Sequence, residues 1–275
     1  MRHRILTRHG KEGMTARFLL EIPGAMDRDY NYDTFVRSTA EEDLHFSGGP
    51  RPGETAPDFE LPNIRGGCFR LSTHRGQQPV LLTSGSITCP MTAGSRPALL
   101  HLFDEFIDRV EVVTVYVREA HPGEIYPHHT DLEQKKRHAS DWVELDRIPW
   151  TVVVDTLDGA VDRRYGSFPN AAYLISRSGR VAFRALWAGQ EGLLRKKIEE
   201  LLEREAAGED PVLGEQENLV IPLVHGSAEF DHAVARGGEK AKEDFRRAFG
   251  NAVYALQKIG SKLEPVINPA NRDLE

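Results

Sequence analysis

Cys89 stands where two local patterns meet, and together they favour nucleophilic chemistry. Ahead of it runs the apolar stretch 79–88, Pro-Val-Leu-Leu-Thr-Ser-Gly-Ser-Ile-Thr, which reads as a buried strand and a short turn. Behind it Pro90 opens a helical pattern whose apolar face carries Leu99, Leu100, Leu102, Phe103, Phe106 and Ile107. Proline suits a first helical position because its missing N–H would be unpaired there anyway. A thiol at a helix start faces unpaired backbone N–H groups, and these favour the thiolate, the nucleophilic form of sulfur. The same context also fits a small buried residue in a strand–helix turn. The fourth position of the motif that begins at the thiol is Thr92, so a Cys-x-x-Cys disulfide is excluded. His121, His128 and His129 match no standard zinc spacing and have no cysteine among them, so neither a metal nor a bound cofactor is expected.

The elements that must hold such a site alternate. Strands are expected at 69–71, 80–84, 112–117 and 151–154, the third rich in β-branched residues. Helices are expected at 90–109, 132–145 and 161–165, then strands 172–176 and 181–186 around the turn Arg177-Ser178-Gly179-Arg180, then a closing helix 193–205. This order predicts an α/β domain, a sheet with helices on both faces, and Cys89 at the carboxyl end of a strand, where sites in open α/β sheets form. Residues 1–52 read as an N-terminal arm ending in the loop Ser47-Gly48-Gly49-Pro50-Arg51-Pro52-Gly53, 53–207 as the compact domain, and 208–275 as a C-terminal helical extension. The arm holds an apolar patch (Phe18, Leu19, Leu20, Ile22) and an aromatic cluster (Tyr30, Tyr32, Phe35). In the extension an apolar run 218–224 precedes a helix expected over 239–263. Its seam of Phe245, Phe249, Ala252, Leu256, Ile259 and Leu263 fits either packing on the protein's own domain or a homodimer contact.

Composition narrows the function class. At 275 residues, 40% apolar and 28% charged, the chain reads as an ordinary globular protein. A net charge of −7 argues against a general nucleic-acid partner. No stretch has the length of a membrane span, and the basic start Met1–Gly10 lacks the apolar core of a signal peptide. Two cysteines, Cys68 and Cys89, are too few for a disulfide framework, so a cytoplasmic location is expected.

The stretch from Ala56 to about Ala206 resembles a thioredoxin-fold redoxin, beginning with the peroxiredoxin-like opening Thr55-Ala56-Pro57-Asp58-Phe59-Glu60-Leu61. More specifically it resembles the iodothyronine deiodinases. Ser84-Gly85-Ser86-Ile87-Thr88-Cys89-Pro90 is similar to that family's Gly-Ser-Cys-Thr-selenocysteine-Pro motif. Val115-Tyr116-Val117-Arg118-Glu119-Ala120-His121-Pro122 is similar to its strand ending in Glu-Ala-His-Pro, the most specific of the segments. Pro127-His128-His129-Thr130-Asp131-Leu132-Glu133 is similar to its Pro-x-His-x-x-Leu-Glu segment, and Asp155-Thr156, Tyr165-Gly166 and Tyr173-Leu174-Ile175 keep the register.

The resemblance implies a thioredoxin-like fold, a central mixed sheet flanked by helices, and a thiol-dependent oxidoreductase. Cys89 takes the selenocysteine position as nucleophile, Glu119 and His121 match catalytic residues, and His129 matches a histidine near the substrate. Following a strand parallel to that of Cys89, His121 would sit near the thiol as proton donor or as imidazolium, with Glu119 orienting it. Thr88 and Thr92 offer hydroxyls to the sulfur. The implied partners are a small halogenated aromatic and an external thiol reductant; in departure from the family, no membrane anchor is expected ahead of the domain.

Departures from the family are equally plain. Sulfur replaces selenium, Ile87 replaces an upstream cysteine, and the loop between His121 and His129 is short. Ser86 stands where peroxiredoxins have threonine, three residues before the thiol. Cys68 is a resolving thiol or incidental, and Pro169 lies near where thioredoxin folds place a cis-proline. The readings carried forward are a deiodinase-like oxidoreductase, a one-cysteine peroxide reductase, and a redoxin-fold binding module without turnover.

Overall fold

The computed structural model describes residues 30–42, 46, 48–216 and 227–251. In chain order these form α1 (Arg37–Glu42), β1 (Glu60–Pro62), β2 (Cys68–Arg70), β3 (Val80–Gly85), α2 (Pro90–Phe106), β4 (Glu111–Tyr116), α3 (Leu132–Leu145), β5 (Thr151–Val154), α4 (Ala160–Arg164), β6 (Ala172–Ile175), β7 (Val181–Ala185), α5 (Glu191–Ala207), β8 (Gly214–Gln216), α6 (Ser227–Gly237) and α7 (Glu239–Phe249). One sheet runs β5-β4-β3-β6-β7-β8. Its first three strands are parallel, β6 and β7 turn antiparallel, and β8 joins β7 in parallel. Parallel crossovers followed by a hairpin and a helix make this a thioredoxin-like α/β fold.

Alternation along each strand divides the core into two halves. Leu81, Val112 and Tyr116 pack with residues of α2, α3 and α5. Val80, Leu82, Val113 and Val115 pack with the β1–β2 hairpin and α4. Three long helices thus share one face, and the other carries mostly the hairpin, with α4 its one short helix. Cys68 begins β2 rather than preceding it, and Leu71 opens a 3₁₀ turn, Leu71–His74. No peptide bond among the described residues is cis, so Pro169 is trans.

The arm is packed into the domain. Tyr30 is buried with its hydroxyl donating to Asp162 at 2.9 Å, the Tyr32 hydroxyl donates to the Ala120 carbonyl at 2.9 Å, and the Asn31 side chain brackets the backbone of His129. The apolar patch at 18–22 and the run 218–224 lie outside the described residues.

The extension departs from a single long helix. Residues 227–237 form α6, which lies along α2, and Gly238 (φ +100°) turns the chain into α7. Gly250, at φ +83°, ends α7 after Phe249; a side chain is disfavoured in that left-handed region. The seam positions 252–263 lie outside the described residues, while Phe249 packs on the chain's own Phe35 and on Phe245, which meets the His121 ring. Arg236 pairs with both carboxylate oxygens of Asp146, and the Glu124 carboxylate accepts from the backbone N–H groups of Glu239 and Lys240 at 2.5 and 3.0 Å, capping α7. Gly237 makes the close approach possible, because a Cβ there would stand 2.5 Å from the Ala241 Cβ and 2.6 Å from the His121 carbonyl oxygen. Gly237→Val is expected to destabilise the protein by about 1–3 kcal/mol. Hydrogen exchange should show protection lost first in α7; protection unchanged there would mean the junction tolerates the added bulk.

Candidate active site

β3 and β4 run side by side with Gly85 opposite Tyr116, so the turns that leave them emerge at one edge. The 86–88 turn is fastened to the 119–121 segment by two hydrogen bonds. The Ala120 N–H donates to Ser86 Oγ at 3.2 Å, and the His121 N–H donates to Thr88 Oγ1 at 3.2 Å. Cys89 is the N-cap residue of α2, its side chain makes no capping bond, and it is 4% exposed. Neither cysteine is in a disulfide. Cys68 is exposed on the hairpin that covers the opposite half of the core.

Glu119 is the hub. Its Oε2 accepts from the Thr88 hydroxyl at 2.6 Å. Its Oε1 accepts from the Tyr116 hydroxyl at 2.6 Å, from His129 Nε2 at 3.2 Å and from His138 Nδ1 at 3.1 Å. Burial raises the carboxyl's pKa, but the hydrogen bonds from His129 and His138, the charge of His129 and the bond from Thr88 outweigh it and hold the group at about 2. The carboxylate in turn fixes which nitrogen of each ring carries its proton. Burial lowers the His129 pKa against the opposing pull of Glu119. Tyr116 is pushed well up by burial and then by the charge of Glu119, so its phenol stays a donor.

Sequence reasoning paired Glu119 with His121, and the structure gives each a different setting. The His121 ring lies between Phe35 and Phe245, with centroids 4.2 and 5.4 Å away, and its Nδ1 is buried with no hydrogen-bond partner. Burial alone pushes its pKa down to about 3. The imidazolium role expected of it therefore does not fit this closed arrangement; the ring is neutral, and its link to the hub is its backbone N–H on Thr88. Thr88 donates to Glu119 rather than to the sulfur. Thr92 Oγ1 is buried without a partner, pressed against Gly85, where a Cβ would come within 2.6 Å of it.

His138 and Tyr116 are the members that sequence reasoning missed. The signal for His138 is the buried stripe Lys135, His138, Ala139 and Trp142 on α3. Asp131 starts that helix by accepting the Gln134 N–H at 2.7 Å, which sets the face that turns inward. Among the described residues His121, His128 and His129, whose spacing gave no metal pattern, do not converge as ligands. Glu119, His129 and His138 do converge, with ligand atoms within 4.8 Å of one another, and two imidazoles and a carboxylate could hold a divalent cation. In the arrangement seen, protein hydrogen bonds already occupy both oxygens of Glu119, and the cluster is complete as a proton-bonded network.

Comparison with known proteins bears on the same residues. A family model described as iodothyronine deiodinase matches residues 30–205, well over half the chain and every member of the network. A thyroxine 5-deiodinase of Sparus aurata is 27% identical over 173 residues, covering 58% of this chain and 63% of the relative. One from Aquarana catesbeiana is 29% identical over 161 residues, 54% of this chain and 58% of the relative. The chain thus spans less than two thirds of the length of these curated relatives. Among solved structures, a putative thiol:disulfide interchange protein DsbE from Chlorobium tepidum is 23% identical with a TM-score of 0.42, covering 58% of this chain and 98% of that one.

Proposed function

Since the chain belongs to the iodothyronine deiodinase family, we propose that it is a thiol-dependent oxidoreductase in which Cys89 attacks the halogen of a small iodinated aromatic. The observation that carries this is the position of Cys89 at the start of α2, its neighbour Thr88 tied to the buried Glu119–His129 pair. The Cys89 thiolate bonds to iodine as the carbon–iodine bond breaks, and the electron pair stays with the ring carbon, which takes up a proton. An external thiol then attacks the Cys89 sulfur and iodide leaves. A second thiol resolves the mixed disulfide and restores Cys89. The protein supplies the placed nucleophile and a water-poor surround. His129 and the unpartnered Thr92 hydroxyl are the polar groups offered to the substrate. A thiol reductant suits a reducing compartment such as the cytoplasm; among the described residues no helix is long and apolar enough to cross a membrane.

The test is a parallel assay of iodide release from iodinated phenols with dithiothreitol and of hydrogen peroxide consumption. Iodide release supports the reading. Fast peroxide consumption without iodide release moves the protein to the one-cysteine peroxide reductases, which form sulfenic acid at the same thiol. Neither activity would leave a redoxin scaffold that binds without turnover.

A further inference from the structure

His121 is closed in by parts of the chain that lie far from it in sequence. Phe35 of the arm covers one side of the ring and Phe245 of α7 another, and Nδ1 is left buried with no hydrogen-bond partner. An unpaired buried nitrogen costs free energy that water or a ligand would return once the cover moves. Phe245 also comes from outside residues 30–205, the stretch that the deiodinase family model matches.

The two helices of the extension are held in different ways. α6 lies along α2, buries Ala233 and Val234, and is fixed at its end by the Arg236–Asp146 pair. The apolar side chains of α7 instead form a small cluster with Val234, separate from the two halves of the core: Ala241, Phe245 and, at its edge, Phe249. Polar ties at the surface add to this hold. The Glu124 carboxylate caps the helix start, and Lys240 Nζ donates to the Asp33 carbonyl of the arm at 2.7 Å. Between the helices stand Gly237 and Gly238, the second in a positive-φ conformation that suits glycine. Residues at the end of an element commonly absorb the rotation of a hinge. α6 is thus the anchor, the glycine pair the pivot and α7 the part that can swing.

We propose that α7 is a hinged cover, which pivots at Gly237–Gly238 and must lift Phe245 from His121 before a substrate can use that ring. The proposal deepens the deiodinase reading of the site and rests on it only for the effect on turnover; access to the ring can be measured without a substrate. A cover that is closed most of the time divides the apparent affinity for substrate by the fraction of molecules that are open. Loosening it therefore lowers KM and leaves kcat in place.

The deciding variant is Glu124→Ala. Glu124 is exposed, lies outside the Cys89–Glu119 network, and its loss removes the cap of α7. Its companion is Phe245→Ala, which removes the covering ring. The first readout is carbethoxylation of individual histidines in the full chain by diethylpyrocarbonate near neutral pH, followed by peptide mass spectrometry. His101, with 57% of its side chain exposed, is the reference, and His129, at 1%, is the control for general loosening. In the wild type His121 should react about tenfold or more below His101, because only open molecules react. Glu124→Ala should speed His121 by about fivefold, the effect of one lost cap, with His129 unchanged. Phe245→Ala should speed it by about tenfold or more. The second readout is iodide release, in which Glu124→Ala should lower KM by about fivefold at unchanged kcat.

A wild-type His121 that reacts as fast as His101 overturns the cover, and so does a His121 rate unchanged in both variants. An equal rise at His129 in Glu124→Ala overturns it too, since the whole domain would then be loosening. Faster modification of His121 with KM unchanged overturns the gating of substrate. Faster modification in variants of a protein whose wild type releases no iodide supports the cover and sinks the deiodinase reading alone.

Discussion

Cys89→Ser is expected to fold as the wild type does and to lose thiol-dependent turnover by about 10³-fold or more, the order seen when a nucleophile is deleted from a working site. The two halves of that expectation have separate grounds. Folding should survive because Cys89 occupies an N-cap position, where serine is among the preferred residues, and because the thiol makes no capping bond that would be lost. Activity should not survive because a serine hydroxyl is un-ionised near neutrality and is a poor nucleophile toward a soft atom such as iodine or a peroxide oxygen. Cys68→Ser is the control. It changes an exposed thiol on the β1–β2 hairpin, over the opposite half of the core, and should leave the rate where it was. Initial rates of iodide release or peroxide consumption, with circular dichroism to monitor folding, settle both. Turnover that persists in a folded Cys89→Ser protein would move the chemistry to another group.

Much of this arrangement was legible in the sequence because it is local. The apolar run into Cys89-Pro90 predicts a strand, a turn and a helix start from backbone preference alone, and the structure places Cys89 as the N-cap of α2. The helix at 132–145 appears with those bounds, its start set by Asp131. What was not legible is long-range. Nothing near Glu119 says that its partners are Tyr116, His129 and His138 rather than His121, since that depends on which face of α3 turns inward and how the 121–129 loop folds back. A lone histidine on an amphipathic helix looks the same whether it meets an apolar core or a carboxylate. The covering of His121 joins Phe35 from one end of the chain to Phe245 from the other, a contact no local pattern carries. The early end of α7 has a visible cue in Gly250, but the apolar spacing continues past it, and the helix expected over 239–263 rests on that spacing alone.

Acid should weaken the protein in two separable windows, and the direction follows from which state holds more protons. His121 titrates near 6.5 when exposed and near 3 in the folded protein. Between those values the unfolded chain binds the extra proton, so stability is complete above pH 6.5 and falls as pH drops toward 3, by about 2 kcal/mol at pH 5. Glu119 titrates near 4.5 when exposed and near 2 when folded. Its contribution is complete above pH 4.5 and is lost on the way down to 2, in all on the order of 3 kcal/mol. Urea unfolding at pH 7.5, 5.5 and 4.0 separates the two. His121→Leu should remove the loss between pH 7.5 and 5.5 while the loss below pH 4.5 remains. It should also be no less stable than wild type at pH 7.5, because the substitution removes a buried nitrogen without a partner from among Phe35 and Phe245. Glu119→Gln should remove the lower window at the expense of stability at every pH, since an amide accepts through one oxygen where the carboxylate used two for four donors. A wild-type slope between pH 7.5 and 5.5 that persists unchanged in His121→Leu would show that His121 is not held neutral. The closed packing of Phe35 and Phe245 over it would then not be the state that unfolds. If the slope disappears, the aromatic cover is in place over His121 in the resting protein, and a substrate that uses this ring must first displace Phe35 or Phe245 from it.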